Sequence, residues 1–180
     1  YRWRGFDVAY TEAGDESNPD LVLLHGVHAA ASSREFEPVF ERLAEEYHVL
    51  APDLPGFGRT DRPDVTYTAP LYRSFVESFL RDVADRPTVV ATSLSGAYAA
   101  EAALDVDVER LVLVCPTADT GPERPWLRRL VRTPLVGTGV FNLLTSRPAL
   151  RWFDRNDAYY HGHAVDDETD ALMRVPRRLL

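Results

Sequence analysis

The sequence predicts an α/β fold built on a mostly parallel, doubly wound sheet, and three observations lead there. Leu21-Val22-Leu23-Leu24 is a continuous apolar run of the kind expected of a strand buried on both faces, and His48-Val49-Leu50-Ala51, Thr88-Val89-Val90-Ala91 and Leu111-Val112-Leu113-Val114 read as further short strands. Segments with apolar residues at helical spacing lie between them. Strand and helix alternate along the chain, the order that builds a parallel sheet covered on both sides.

Each element has its own signal. Trp3 to Phe6 and Val8 to Thr11 read as an antiparallel pair around a charged turn, and residues 14–20 as a loop dense in turn formers. Ser32 or Ser33 is placed to cap a helix carrying Phe36, Val39, Phe40 and Leu43. Pro55, Gly56, Gly58 and Pro63 make residues 53–64 a loop. Leu71, Phe75, Phe79 and Val83 stand one turn apart and predict a helix from Leu71 to Val83; Leu94 to Leu104 reads as a second helix of small residues. Beyond Thr117 the pattern changes. Prolines 122, 125, 134, 148 and 176 separate segments of helical character, Trp126 to Val131, Val140 to Leu144, Ala149 to Phe153 and Asp167 to Val175. The expected organisation is a core over residues 1–116 and an all-helical part over residues 117–180.

Composition bounds the function. At 180 residues and 20.3 kDa the chain can bury one sizeable core. It is 45% apolar with a mean hydropathy of −0.25, and it lacks an apolar run of membrane-spanning length or the apolar stretch of a signal peptide near residue 1. Cys115 is the single cysteine, so an internal disulfide is impossible and a cytoplasmic setting is expected. A net charge of −8 argues against nucleic acid as a partner. All 20 basic residues are arginine. An acidic, lysine-free surface suits a high-salt cell, and a GC-rich genome accounts for it equally well. Acids outnumber arginines 20 to 10 in residues 1–116, whereas 8 acids face 10 arginines in residues 117–180.

The strongest chemical signal is Val89-Val90-Ala91-Thr92-Ser93-Leu94-Ser95-Gly96-Ala97, a buried strand running into a helix with serine at the junction. A nucleophile on so sharp a turn stands clear of the sheet, beside the free N–H groups and positive dipole end of the helix. The residues two before and two after must be small, and here they are Ala91 and Ser95. The usual pattern has glycine at both. Ser93 is preferred over Ser95, which lies further into the first helical turn; the competing account is that Thr92 and Ser93 only cap a helix.

The second signal is Leu23-Leu24-His25-Gly26-Val27-His28, directly after a buried strand. A glycine there lets the backbone turn, and the N–H of Val27 with that of Leu94 would form an oxyanion hole. His25 reads as a residue that holds the loop by hydrogen bonds, and His28 as a loop histidine within reach of a pocket mouth. In the Asp53-Leu54-Pro55-Gly56-Phe57-Gly58 loop, Asp53 and Asp61 are expected to hold backbone or arginine partners. Gly137-Thr138-Gly139 lacks a preceding strand and a third glycine, which argues against a dinucleotide site. No metal-ligand spacing occurs, and no cofactor is expected.

His25-Gly26, the Asp53 to Gly58 loop and Ser93 at its elbow follow the order and spacing of the α/β-hydrolase family, which the chain resembles. The resemblance is to the esterase, epoxide-hydrolase and dehalogenase branch, closely over residues 1–116, with residues 117–180 like the helical cap inserted after the sixth strand. It implies a cofactor-free serine hydrolase acting on a small ester-like molecule. Serine at the elbow favours ester or related acyl hydrolysis, since the family's dehalogenases and epoxide hydrolases carry aspartate there. Asp119 follows the sixth strand, where some members keep their acid. The family places its histidine beyond the last strand, so the chain is expected to lack it, together with the seventh and eighth strands. His161 and His163 read as surface residues beside Tyr159 and Tyr160.

A cap with Trp126, Phe141 and Trp152 would supply an apolar pocket wall, although two-thirds or more of its ten large apolar residues are expected to pack the cap helices against one another and against the sheet. Two other functions compete. One is a non-catalytic interaction module whose exposed edge strand needs a partner. The other is acyl transfer or C–C bond hydrolysis on the same scaffold. Substrate identity and oligomeric state are not legible.

Overall fold

In the computed structural model the described residues are 1–28 and 31–118, with 126, 133, 136–144, 146, 148, 149 and 152 in the remainder. The chain divides into two compact units, Tyr1–Asp119 and Thr120–Leu180.

The first unit opens on a hairpin of β1 (Arg2–Trp3) and β2 (Phe6–Asp7), paired Arg2 with Asp7 and Trp3 with Phe6. This departs from the expected pairing of Trp3–Phe6 with Val8–Thr11. Arg4 and Gly5 both have positive φ, 47° and 89°, the conformation of a two-residue hairpin turn, so the chain reverses two residues early. The next strand, β3 (Tyr10–Ala13), is thereby free to pair antiparallel with β5 (His48–Pro52).

The main sheet has the order β3-β5-β4-β6-β7, with β4 at Asp20–Leu24, β6 at Thr88–Thr92 and β7 at Arg110–Val114. All pairings but that of β3 are parallel. Alternation along β4 explains why its run is unbroken. Leu21 and Leu23 point to one face, against Phe36, Phe40, Val49 and Ala51. Val22 and Leu24 point to the other, where Phe75, Val76, Phe79, Tyr98 and Ala99 join them. Phe36 closes a 3₁₀ turn (Ser33–Phe36) that leads into α1 (Glu37–Ala44). Val39, expected on the buried stripe, is exposed instead, at the edge of the face that Phe36 and Phe40 bury. The opposite face is covered by α2 (Ala69–Val83) and α3 (Ser95–Ala102). Thr68 caps α2, its hydroxyl accepting from the Leu71 N–H at 3.3 Å. Burial of a side chain such as Phe75 or Phe79 contributes about 1.5–3 kcal/mol. The sheet is therefore wound on both sides.

β7 differs from the other parallel strands. It is the outermost strand of the described sheet, and Val112, Leu113 and Val114 are about two-fifths exposed rather than buried on both faces. In the second unit α4 (Val136–Leu144) starts four residues before the expected Val140, with the Gly137 N–H donating to the Thr133 carbonyl. Gly137-Thr138-Gly139 thus lies inside a helix rather than in a loop. In this unit Trp126, Leu143 and Trp152 are each about two-thirds exposed, and the Phe141 side chain lies outside the described residues. The segments 127–131, 153 and 167–175 also lie outside them. No helix among the described residues is long and apolar enough to cross a membrane.

At the amino ends of the strands, the His48 imidazole bridges β3 and β4. Its Nδ1 is 2.7 Å from Asp20 Oδ1 and its Nε2 is 2.9 Å from Glu12 Oε1. Burial favours the neutral ring, but the bonds to Glu12 and Asp20 and their charges outweigh it and raise the pKa above the usual histidine value. A raised native pKa adds stability that is complete below about 6.5, the ordinary histidine value, and is lost as pH rises through the native one. Urea midpoints measured from pH 6 to 8.5 should therefore fall more steeply for the unaltered protein than for His48→Asn. Parallel curves would show that the bridge carries no such linkage.

Candidate active site

Ser93 stands between the end of β6 and the start of α3 with a φ of 52°, a left-handed conformation that costs a residue with a side chain about 1–2 kcal/mol. The surrounding main chain enforces it. The Ser93 N–H donates to the Val114 carbonyl at 3.0 Å, and the Ser93 carbonyl accepts from the N–H groups of Gly96 and Thr117 at 3.1 and 3.2 Å. The end of β7 thus grips this residue from both sides.

The small flanking residues have distinct tasks. Ala91 is fully buried beneath the turn. Ser95 is also fully buried, and its hydroxyl donates to the His25 carbonyl at 2.5 Å. A hydroxyl at 95, where the usual pattern has glycine, therefore fastens the elbow to the loop after β4. The Thr92 hydroxyl adds a second tie, to the Leu24 carbonyl at 3.3 Å. Of the two serines, Ser93 is the half-buried one.

His25 is fully buried, and both of its ring nitrogens are committed. The Leu54 N–H can only donate, so His25 Nε2 accepts it, at 3.0 Å, and the ring proton sits on Nδ1. Nδ1–H then donates to the Gly26 carbonyl at 2.7 Å. Burial holds this imidazole below the usual histidine range, in agreement with a neutral ring. His25 is a brace for the loop, as its position before the turn suggests.

Gly26 lies against the elbow. A Cβ built on it would sit 3.5 Å from both Ser93 Cβ and Thr92 Oγ1, and 3.8 Å from Glu35 Oε2. Glu35 carries no sequence motif and escapes a reading of the sequence; its only signal is its place in the first turn after the loop. Its Oε2 accepts the Gly26 N–H at 3.1 Å, and its Oε1 lies 2.7 Å from His28 Nε2. Burial pushes the Glu35 carboxyl up, but the His28 and Gly26 hydrogen bonds outweigh that and hold it below the usual carboxylate range. Among the described residues, the main-chain N–H groups of Val27 and Leu94 have no acceptor.

Asp53 organises the neighbouring loop. Its carboxylate accepts the Ser33 N–H at 2.7 Å and the Arg59 N–H at 2.9 Å, with the Arg59 guanidinium alongside. A Cβ at Gly58 would fall 2.3 Å from Asp53 Cγ, which makes glycine the only residue that fits there. Asp61 accepts the Asp7 N–H at 2.9 Å. Among the described residues no cluster of His, Cys, Asp and Glu could hold a metal ion. Asp119, His161 and His163 lie outside the described residues.

The serine at the strand-turn-helix junction thus lies beside the glycine loop that follows β4. Residues 21–180 match the alpha/beta hydrolase family. The chain belongs to that family. An uncharacterized hydrolase of Saccharomyces cerevisiae is 47% identical over 60 residues, 33% of this chain and 20% of the yeast protein. The pimeloyl-[acyl-carrier protein] methyl ester esterase of Legionella pneumophila is 31% identical over 85 residues, 47% of this chain and 32% of that one. The crystal structure of an alpha/beta hydrolase fold protein from Burkholderia ambifaria superposes with a TM-score of 0.66 at 26% identity, covering 81% of this chain and 55% of the other. The chain thus spans only part of the length of the relatives it matches.

The strained turn yields a stability test. Glycine tolerates the φ of Ser93 and alanine does not, so Ser93→Gly should be about 1 kcal/mol more stable than Ser93→Ala in paired urea titrations. Equal midpoints would mean that the turn relaxes without strain.

Proposed function

We propose that this hydrolase-family chain acts on carboxylic ester or related acyl bonds, with Ser93 as the nucleophile and the N–H groups of Val27 and Leu94 as the oxyanion hole. The observation that carries the reading is the pairing of a serine held at positive φ with two amides, those of Val27 and Leu94, that have no acceptor among the described residues. The site lies at the carboxyl ends of β4 and β6, beside the point where the strand order diverges from β4, the usual ligand crevice of open α/β sheets.

The chemistry follows from those positions. Ser93 Oγ attacks the carbonyl carbon and passes its proton to a general base. The carbonyl oxygen becomes an oxyanion and is received by the two amides, each worth several kcal/mol when preorganised in a dry site. Collapse of the intermediate expels the alcohol, which takes the proton, and water then cleaves the acyl-serine. His25 and His48 are excluded as the base, because both nitrogens of each ring are already bonded. Asp119 remains the candidate acid. Residues 117–180 are read as a cap, and His28, Trp126, Phe141 and Trp152 as the candidate substrate-pocket residues. The setting is cytoplasmic, the substrate a small ester-like molecule, and no cofactor takes part.

The full-length protein should hydrolyse p-nitrophenyl esters of short acids, and Ser93→Ala should lower turnover by roughly 10⁴-fold or more. A fluorophosphonate should label Ser93 alone, mapped by peptide mass spectrometry. Undiminished turnover in Ser93→Ala would falsify the assignment, and a folded full-length protein that neither turns over nor labels would favour an interaction module.

A further inference from the structure

Two successive peptide groups form the loop that carries the Val27 amide, and their polar atoms can be accounted for one by one. In the peptide joining His25 to Gly26, the carbonyl accepts the Ser95 hydroxyl and the N–H donates to Glu35 Oε2. In the peptide joining Gly26 to Val27, the carbonyl accepts from the His25 ring, and the N–H has no acceptor among the described residues. Three of the four groups are held, and the free one is the amide assigned to the oxyanion hole.

A trans peptide is planar, with C=O and N–H pointing in opposite directions. Fixing both planes therefore fixes where the Val27 N–H points. The hinge between the planes is Gly26, whose φ and ψ are the least restricted of any residue. The Ser95 hydroxyl holds the carbonyl end of the first plane, and with no anchor on the Gly26 N–H that plane could still tilt about this single bond. Glu35 supplies the anchor from the 3₁₀ turn, as a carboxylate bond to an amide, which is stronger than a neutral one. Its second oxygen is held by His28, so the anchor is itself braced.

We infer that Glu35 is a positioning residue of the oxyanion hole: by holding the Gly26 N–H it sets the peptide hinge that aims the Val27 N–H at the developing charge beside Ser93. This rests on the serine-hydrolase reading above. Glu35 touches neither substrate nor Ser93 Oγ in this scheme, and its effect is confined to the transition state.

The test compares Glu35→Ala and Glu35→Gln in the full-length protein on p-nitrophenyl acetate. Glu35→Ala should lower kcat by roughly 10- to 100-fold, below the loss from deleting an oxyanion donor outright, and leave KM within about threefold. Glutamine keeps an oxygen for the Gly26 N–H and offers an N–H to His28, so Glu35→Gln should recover to within about fivefold of the unaltered enzyme. A kcat unchanged in Glu35→Ala, or a loss that appears in KM, overturns the inference. Should Glu35→Ala fail to fold, amide exchange in the unaltered protein decides. After correction for intrinsic rates, Gly26 should exchange at least about tenfold more slowly than Val27, and equal rates overturn the inference. An active Ser93→Ala overturns the underlying reading instead, so the two failures are distinguishable.

Discussion

The carboxyl edge of this sheet depends on one buried imidazole. His25 has no access to water, so each of its polar atoms must find a protein partner. It does so on three segments at once: the Leu54 N–H after β5, the carbonyl of Gly26 in its own loop, and, through its main-chain carbonyl, the Ser95 hydroxyl in α3. Three strand ends that are distant in sequence are thereby locked in one relative position. The neutral tautomer is obligatory, since only one that accepts at Nε2 and donates at Nδ1 satisfies both neighbours.

His48 meets the opposite demand at the other end of the same strands. Its partners are two carboxylates rather than an amide and a carbonyl, so the surroundings favour the charged ring. Asp20 extends this anchor by accepting the Asp85 N–H with its second oxygen, tying the loop before β6 to the start of β4. One sheet thus holds two buried histidines whose pKa values are pushed in opposite directions, His25 down by burial and His48 up by its two carboxylate partners.

How much of this could be read from the sequence varies with how local the cause is. The runs at Leu21–Leu24 and Thr88–Ala91 announce their strands because burial on both faces leaves no polar alternation to misread. The elbow around Ser93 and the glycine after His25 are short-range patterns and equally visible. The first hairpin is misjudged because its turn is set by backbone conformation at Arg4 and Gly5, and a non-glycine residue at positive φ leaves no mark in composition. The exposure of β7 does not follow from its Leu-Val-Leu-Val run, which resembles that of a covered strand, but from its place at the edge of the described sheet. Glu35 is invisible for another reason. A glutamate in the first turn of a helical segment is ordinary, and its bond to Gly26 exists only once the loop has folded back across nine residues.

The grip of β7 on Ser93 has a mechanical corollary. The same strand that forms the outer rail of the described sheet also supplies, through the Val114 carbonyl, the acceptor that holds the strained serine in place. Just beyond its end, the Thr117 N–H holds the other side of that residue. Any displacement of the end of β7 is therefore transmitted to Ser93 through a single hydrogen bond, so the register of this strand and the conformation of the elbow are set together.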